Sequence, residues 1–311
     1  MNRRNLLKNS AALGFASALP MLSAGKLFAG SGAEQTNTDK GVHAELNPLT
    51  PPTQGKIPVA FPISDGAQVI DFAGPWEVFA DASIPGGGDN AFQVYTVAET
   101  LKPITATGGL TIVPNFTFET APAPKVIVIP AQAGATKAML QWIRTATKST
   151  DVTMSVCTGA FVLASTGLLS GKSATTFHEA FDRFEKLYPD IKLKRGARFV
   201  EDGNLASSGG LTSGIDLAFR VVERYYGRDA AKKTAYDLEY LGTGWMNAAS
   251  NEIYARYENP EKPPQASLCP VCGMKADPAI SSVYKGKTYY FCMQADKQTF
   301  DDSPEDFVKK S

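Results

Sequence analysis

Histidine is nearly missing from this 311-residue chain: His43 and His178 are the whole supply. Multi-histidine metal sites and mechanisms that need several imidazoles are therefore excluded. Cysteine is scarce as well. Cys157, Cys269, Cys272 and Cys292 are too few for a disulfide framework at this length, so each needs a reason of its own. No run of 18 apolar residues occurs, which rules out a multi-span membrane protein. Excess charge is absent too. The 31 Lys+Arg cancel the 31 Asp+Glu, and without a basic tract there is no electrostatic footprint for nucleic acid. What remains is an ordinary globular balance, 43% hydrophobic and 20% charged, at a length that suits two domains.

The charge that exists is unevenly placed. Arg3, Arg4, Lys8 and Lys26 stand in residues 1–30 without an acid, and a modest apolar stretch, Ala11 to Leu22, follows the arginine pair. This is the layout of an export signal. The stretch Asn2-Arg3-Arg4-Asn5-Leu6-Leu7-Lys8 resembles a twin-arginine signal, with Asn2 and Leu6 departing from its consensus. The resemblance implies delivery of folded protein to the periplasm without stable membrane insertion. Residues 31–55, rich in Gly, Thr, Asn, Gln and Pro, read as a linker containing His43.

From 56 to 250 the pattern becomes one of alternation. Val59–Ile63, Phe92–Ala98, Val126–Ile129 and Val152–Val156 are β-rich runs bounded by Gly or Pro. Helix-period segments lie among and after them. Ala135–Lys148 puts Ala138, Met139, Trp142 and Ile143 on one face, and His178–Leu187 does the same with Phe181, Phe184 and Leu187. Ser213–Tyr226, opened by a Ser213/Asp216 capping pair, and Asp229–Leu241 complete the set. Strands alternating with helices predict a parallel sheet covered on both faces, with ligands at the carboxyl ends of its strands.

Two residues fall on that edge. Cys157 follows the run 152–156 directly and precedes Thr158-Gly159-Ala160, so a strand gives way to a helix within one turn, as in a nucleophile elbow. The helix dipole is expected to lower the thiol's pKa, the alternative being a buried structural cysteine. Asp71 precedes Pro75, which suits a first helical turn, and is expected between the first strand and its helix, as a site residue on that edge or as a turn or capping carboxylate.

These segments together resemble the ThiJ/PfpI superfamily, of class I glutamine amidotransferase-like α/β fold. The nearest branch is that of isonitrile hydratases and the ligand domains of related regulators. The match rests on Asp71-Phe72-Ala73-Gly74-Pro75-Trp76-Glu77-Val78-Phe79, Ser155-Val156-Cys157-Thr158-Gly159-Ala160, Asp202-Gly203-Asn204 and Ser208–Leu217. The resemblance implies Cys157 as nucleophile, Asp71 beside it, and a homodimer. Thr158 supplies a candidate N–H and hydroxyl to the pocket. Phe177-His178 stands where many relatives carry His then Trp, so no role passes to His178, and Thr176/Glu179 read as a capping box. Pro130-Ala131-Gln132-Ala133-Gly134 replaces a Gly-Gly pair.

A Pro-rich linker, 251–266, separates a tail, 267–311, that holds Cys269-Pro-Val-Cys272-Gly-Met274 and Cys292. Cys-x-x-Cys spacing brings two sulfurs onto one turn, and a hairpin around Gly286 returns Cys292 to them. So short a tail gains from a metal staple. The tail resembles the YHS domain of metal-handling proteins. Asp296 stands in place of the family's further cysteine and Met293 in place of a usual Ser. Cys269, Cys272, Cys292 and Asp296 make a ligand set for a zinc or copper ion, against the alternative of a Cys269–Cys272 disulfide. Three functions remain open: an exported cysteine-dependent hydratase or hydrolase acting on a small electrophile, a ligand- or metal-sensing module, and redox protection by an oxidisable thiol.

Overall fold

The computed structural model describes residues 47–82, 84, 91–133, 135–255, 268–271 and 276–308. The signal segment 1–30, His43, Gly134, Cys272 and Met274 lie outside the described residues, as does most of the 251–266 linker.

The centre is a seven-stranded sheet. Strands β1 (Ile57–Pro62), β2 (Phe92–Ala98), β3 (Phe116–Thr117), β4 (Val126–Ile129), β5 (Val152–Ser155), β6 (Phe199–Asp202) and β7 (Leu205–Ser208) lie in the order β6-β7-β5-β4-β1-β2-β3. Every pairing is parallel except the outer β6–β7 hairpin, which turns at Asp202-Gly203-Asn204. The β4 run Val-Ile-Val-Ile shows why these strands are continuous rather than alternating. Val126 and Val128 face one core with Phe79, Leu217 and Phe219, while Ile127 and Ile129 face the other with Met139, Phe161 and Phe184. Both faces are buried, so both sets must be apolar.

Helices α1 (Val69–Ala80), α2 (Lys137–Ala146), α3 (Gly159–Ser165), α4 (Phe181–Leu187), α5 (Ser213–Tyr226) and α6 (Arg228–Asp237) cover the two faces. Several local expectations change. Helix α1 starts six residues before Pro75, so Asp71 is in its first turn rather than ahead of it. The proline is tolerated inside, but it has no N–H to give the carbonyl four residues back, which is that of Asp71. Ser213 and Asp216 do not cap α5; Asp216 is drawn away to the Arg198 guanidinium, Tyr240 and the Trp245 amide. Thr176 and Glu179 form no capping box, and the segment opens as a 3-10 turn, His178–Ala180, before α4. Ala138 is exposed, leaving Met139 and Ile143 as the buried side of α2.

The ends of this domain are also more firmly held than a linker reading implies. Leu49 N–H donates to the Arg224 carbonyl and the Arg224 guanidinium to the Asn47 carbonyl, both at 2.8 Å. At the other end Asn251 is buried, bonded to Arg198 and Ser213. Among the described residues, no helix is long and apolar enough to cross a membrane.

The tail is a two-stranded hairpin, β8 (Asp277–Tyr284) and β9 (Lys287–Phe291), followed by α7 (Gln294–Asp302). Lys285 and Gly286, both at positive φ, make its two-residue turn. Among the described residues its core is small, with Cys269, Val271, Phe291 and Phe300 as the buried members of the hydrophobic cluster. The described parts of the tail and of the sheet domain fall within one compact unit.

Candidate functional site

The elbow is built by continuing the sheet to its last possible residue. Past the end of β5, Val156 N–H still donates to the Ile129 carbonyl at 2.9 Å, and Cys157 N–H donates to the Gly209 carbonyl at 3.0 Å. Helix α3 begins two residues later, so Cys157 must turn sharply, and it does so at φ +56. That left-handed backbone is unusual for a residue with a β-carbon and holds strain at the site. The buried Thr176 hydroxyl donates to the Cys157 carbonyl at 2.9 Å and fixes the turn from below. Gly159 packs directly on the end of β4: a β-carbon there would overlap the Ile129 carbonyl oxygen and stand 2.8 Å from the Pro130 carbonyl.

Asp71 reaches the same place from α1. Gln68 N–H donates to the Ala131 carbonyl at 2.7 Å, and Ala131 N–H donates to Asp71 Oδ2 at 3.1 Å. The segment after β4 therefore clamps the start of α1, and the Ala131 amide is committed to Asp71. The other carboxylate oxygen, Oδ1, is buried without a hydrogen-bond partner. Burial pushes the Asp71 carboxyl up to about 7, offset in part by the Ala131 amide and the Cys157 side chain.

Cys157 is only 6% exposed. Burial, and then the Asp71 charge, push its thiol above the ordinary range, although the Thr158 and Leu211 amides and the Thr158 hydroxyl hydrogen-bond to it. This reverses the acidic thiol expected from the sequence. The physical reason is desolvation: the following helix is seven residues long and buried, and the lost water outweighs its dipole. Cys157, Asp71 and Thr158 thus come together as a desolvated thiol–carboxyl pair with donors around the sulfur. The Asp71 carboxylate is placed to take the thiol's proton as the sulfur attacks.

His178 is not brought to this pair by any described hydrogen bond. Its ring stacks on Tyr254 at 4.8 Å, and burial lowers its pKa. It lines a cavity of about 160 Å3 together with Thr176, Leu211 and Arg198. Sequence reasoning missed Thr176, Ala131 and Leu211. Ala131 and Leu211 act through backbone N–H groups, which carry no side-chain signal. The Thr176 hydroxyl was assigned to a helix cap that does not form.

In the tail, Cys269, Cys292 and Asp296 converge. Their candidate ligand atoms all lie within 4.8 Å of one another. Cys269 Sγ and Cys292 Sγ donate to the same oxygen, Asp296 Oδ2, at 3.0 and 3.2 Å. Asp296 is fully buried, and Cys272, the second member of the alternative disulfide, lies outside the described residues. A buried carboxylate facing two soft sulfurs fits a thiophilic cation, whose charge would balance the deprotonated donors.

Residues 58–224 match the DJ-1/PfpI family model, and residues 269–311 match that of the YHS domain. An isonitrile hydratase of Pseudomonas putida is 36% identical over 189 residues, covering 59% of this chain and 78% of that relative. The HTH-type transcriptional regulator CdhR of Pseudomonas aeruginosa is 32% identical over 96 residues, covering 31% of this chain and 28% of that relative. A ThiJ/PfpI family protein from Pseudomonas syringae shares the fold, with TM-score 0.54 and 24% identity over 69% of this chain and 83% of that one.

Proposed function

The chain belongs to the DJ-1/PfpI family, and from that premise we propose that it is a cysteine-dependent hydratase of a small electrophile, an isonitrile being the reference substrate. The observation that carries this reading is the buried Cys157–Asp71 pair, with the carboxyl near 7 and the thiol held protonated. The thiol is not a ready thiolate, so its proton leaves as it attacks. Asp71 takes that proton while the sulfur bonds to the terminal isonitrile carbon, and returns it to the same carbon to give a thioimidate. Water then adds to the thioimidate carbon with Asp71 accepting its proton. Collapse breaks the C–S bond, the nitrogen is protonated, and an N-substituted formamide leaves with the thiol restored. The Thr158 N–H is the donor suited to the charge that develops.

The test is formamide production from a panel of isonitriles. Wild type is expected to turn over at least one member, and Cys157→Ala is expected to fall by about 10³-fold or more, as for removal of other covalent nucleophiles. Ligand binding without formamide from any member would favour the sensing alternative, for which the regulator relatives speak.

The tail is read as a metal module. Cys269, Cys292 and Asp296, with Cys272 as a further thiolate, would hold one ion, and the hard carboxylate favours Zn(II) over Cu(I). Elemental analysis of the full reduced chain is expected to give one zinc. Asp296→Ala should weaken binding by about tenfold or more, since losing even an outer-shell partner costs that much, and Asp296→Cys should tighten it. No difference among the three proteins would remove Asp296 from the ligand set.

Export by the twin-arginine route, and a homodimer, complete the proposal. Lysine at both Arg3 and Arg4 should leave precursor in the cytoplasm, and normal export of that variant would reject the route.

A further inference from the structure

Two of the tail's cluster residues are each followed by a residue that touches the sheet domain. After Cys269 comes Pro270, whose carbonyl accepts a hydrogen bond from Arg183 Nη2. The Arg183 guanidinium lies 5.1 Å over the Phe161 ring, on the helix that starts just past Cys157. After Cys292 comes Met293. Its thioether lies where a β-carbon on Gly66 would stand, so the absence of that carbon lets it sit flush on the backbone.

The Gly66 turn leads to Asp71. Ala133 N–H donates to the Asp65 carbonyl at 3.2 Å, and Ser64 Oγ donates to Gln132 Oε1 at 3.0 Å. Ala131, one residue earlier, holds Asp71 Oδ2. One strut therefore ends on the helix of Cys157 and the other on the loop that holds Asp71. Between them the two domains wall a cleft of about 790 Å3, with Thr158, Phe161 and Arg183 on one side and Val271 and Phe307 on the other.

We infer that the tail is a metal-operated clamp on the Cys157 site, ion capture by Cys269, Cys292 and Asp296 closing the cleft through Pro270 and Met293. This rests on the metal reading of the tail and adds a regulatory role to it. An ion held by Cys269, Cys292 and Asp296 would fix the separation of the two sulfurs, and would restrain Pro270 and Met293 with it. Hydrogen bonds through one carboxylate oxygen hold that separation more loosely. Because the two sites share these contacts, the coupling must be reciprocal: the factor by which zinc changes the affinity of a ligand at Cys157 is the factor by which that ligand changes zinc affinity.

The experiment uses the full reduced chain, zinc-loaded or stripped with a chelator, and follows iodoacetamide labelling of the Cys157 peptide by mass spectrometry. Zinc is expected to slow Cys157 labelling about fivefold or more in wild type, the lower end of ordinary coupling. Met293→Ala should retain one zinc, which also shows that its tail is folded, yet lose most of the slowing. Cys269→Ser should show no zinc effect, which excludes direct capture of zinc by Cys157. Zinc bound with Cys157 labelling unchanged or faster overturns the clamp and leaves the metal reading intact. Full slowing in Met293→Ala overturns the Met293 strut. Failure of wild type to bind zinc overturns both readings.

Discussion

Gly159→Ala should lower stability by about 3 kcal/mol or more, the upper part of the range for overpacking against a rigid wall. For a domain of this size that is a fall in Tm of roughly 6–12 °C. The obstacle is backbone, not a side chain that can rotate away. The new methyl would overlap the Ile129 carbonyl oxygen and crowd Pro130, at the end of the central strand β4. Relief requires either β4 or α3 to move. The first breaks the Val156 N–H bond to Ile129, and the second moves the thiol away from Asp71. Turnover should therefore fall along with stability. Gly167 is the control: it lies just past the other end of α3, at φ +79, and a β-carbon there meets nothing within 4 Å. Gly167→Ala should cost only the backbone strain, about 1–2 kcal/mol, with turnover unchanged. Equal thermal shifts for the two variants would mean that the contact at Gly159 relaxes freely.

The same contrast explains what could be read from the chain alone. Strands announced themselves because burial on both faces forces unbroken apolar runs; Phe92–Ala98 and Val126–Ile129 are strands over the whole of those spans. Cys157 was legible because a reactive side chain at a strand-to-helix junction stands out against small neighbours. The reach of Asp216 to Arg198 was not, because residues 198 and 216 meet only after the β6–β7 hairpin and α5 have packed. The same holds for the thiol's pKa. A dipole can be inferred from chain order, but desolvation depends on how the folded chain packs over the cysteine, and the charge of Asp71 and the amide of Leu211 that also act on it are distant in sequence. The tail's cluster was legible in its sulfurs and in Asp296, whereas the seat of Met293 on Gly66 needs both domains in place.

Asp71→Asn should make the protein less active and, above neutral pH, more stable. The carboxyl is fully buried, and burial raises its pKa from 3.8 to about 7. In the folded state it therefore keeps a proton through a range in which the unfolded chain has lost one. Below about pH 4 both states are protonated and nothing is lost. As pH rises from 4 toward 7 the unfolded state binds fewer protons than the folded one, so wild-type stability falls. Above 7 both are ionised and the loss is complete, about 4 kcal/mol for a shift of this size. Asparagine is neutral throughout and still accepts from the Ala131 amide, so it escapes that loss. Its NH2 group faces the pocket of the unpartnered Oδ1, and an unmet donor there takes back about 1–3 kcal/mol. The net result at pH 8 is a gain of about 1–3 kcal/mol that shrinks and reverses toward pH 4. Turnover should drop about 10²–10⁴-fold, the usual worth of a positioned general acid–base. Urea unfolding of both proteins at pH 5, 6, 7 and 8 reads the first effect, and formamide assays read the second. Parallel stability–pH curves would show that Asp71 titrates as an ordinary carboxylate, and the proton-passing pair would go with it. Diverging curves with turnover intact would keep the buried acid and deny it the chemistry, leaving the thiol to find its base elsewhere in the pocket.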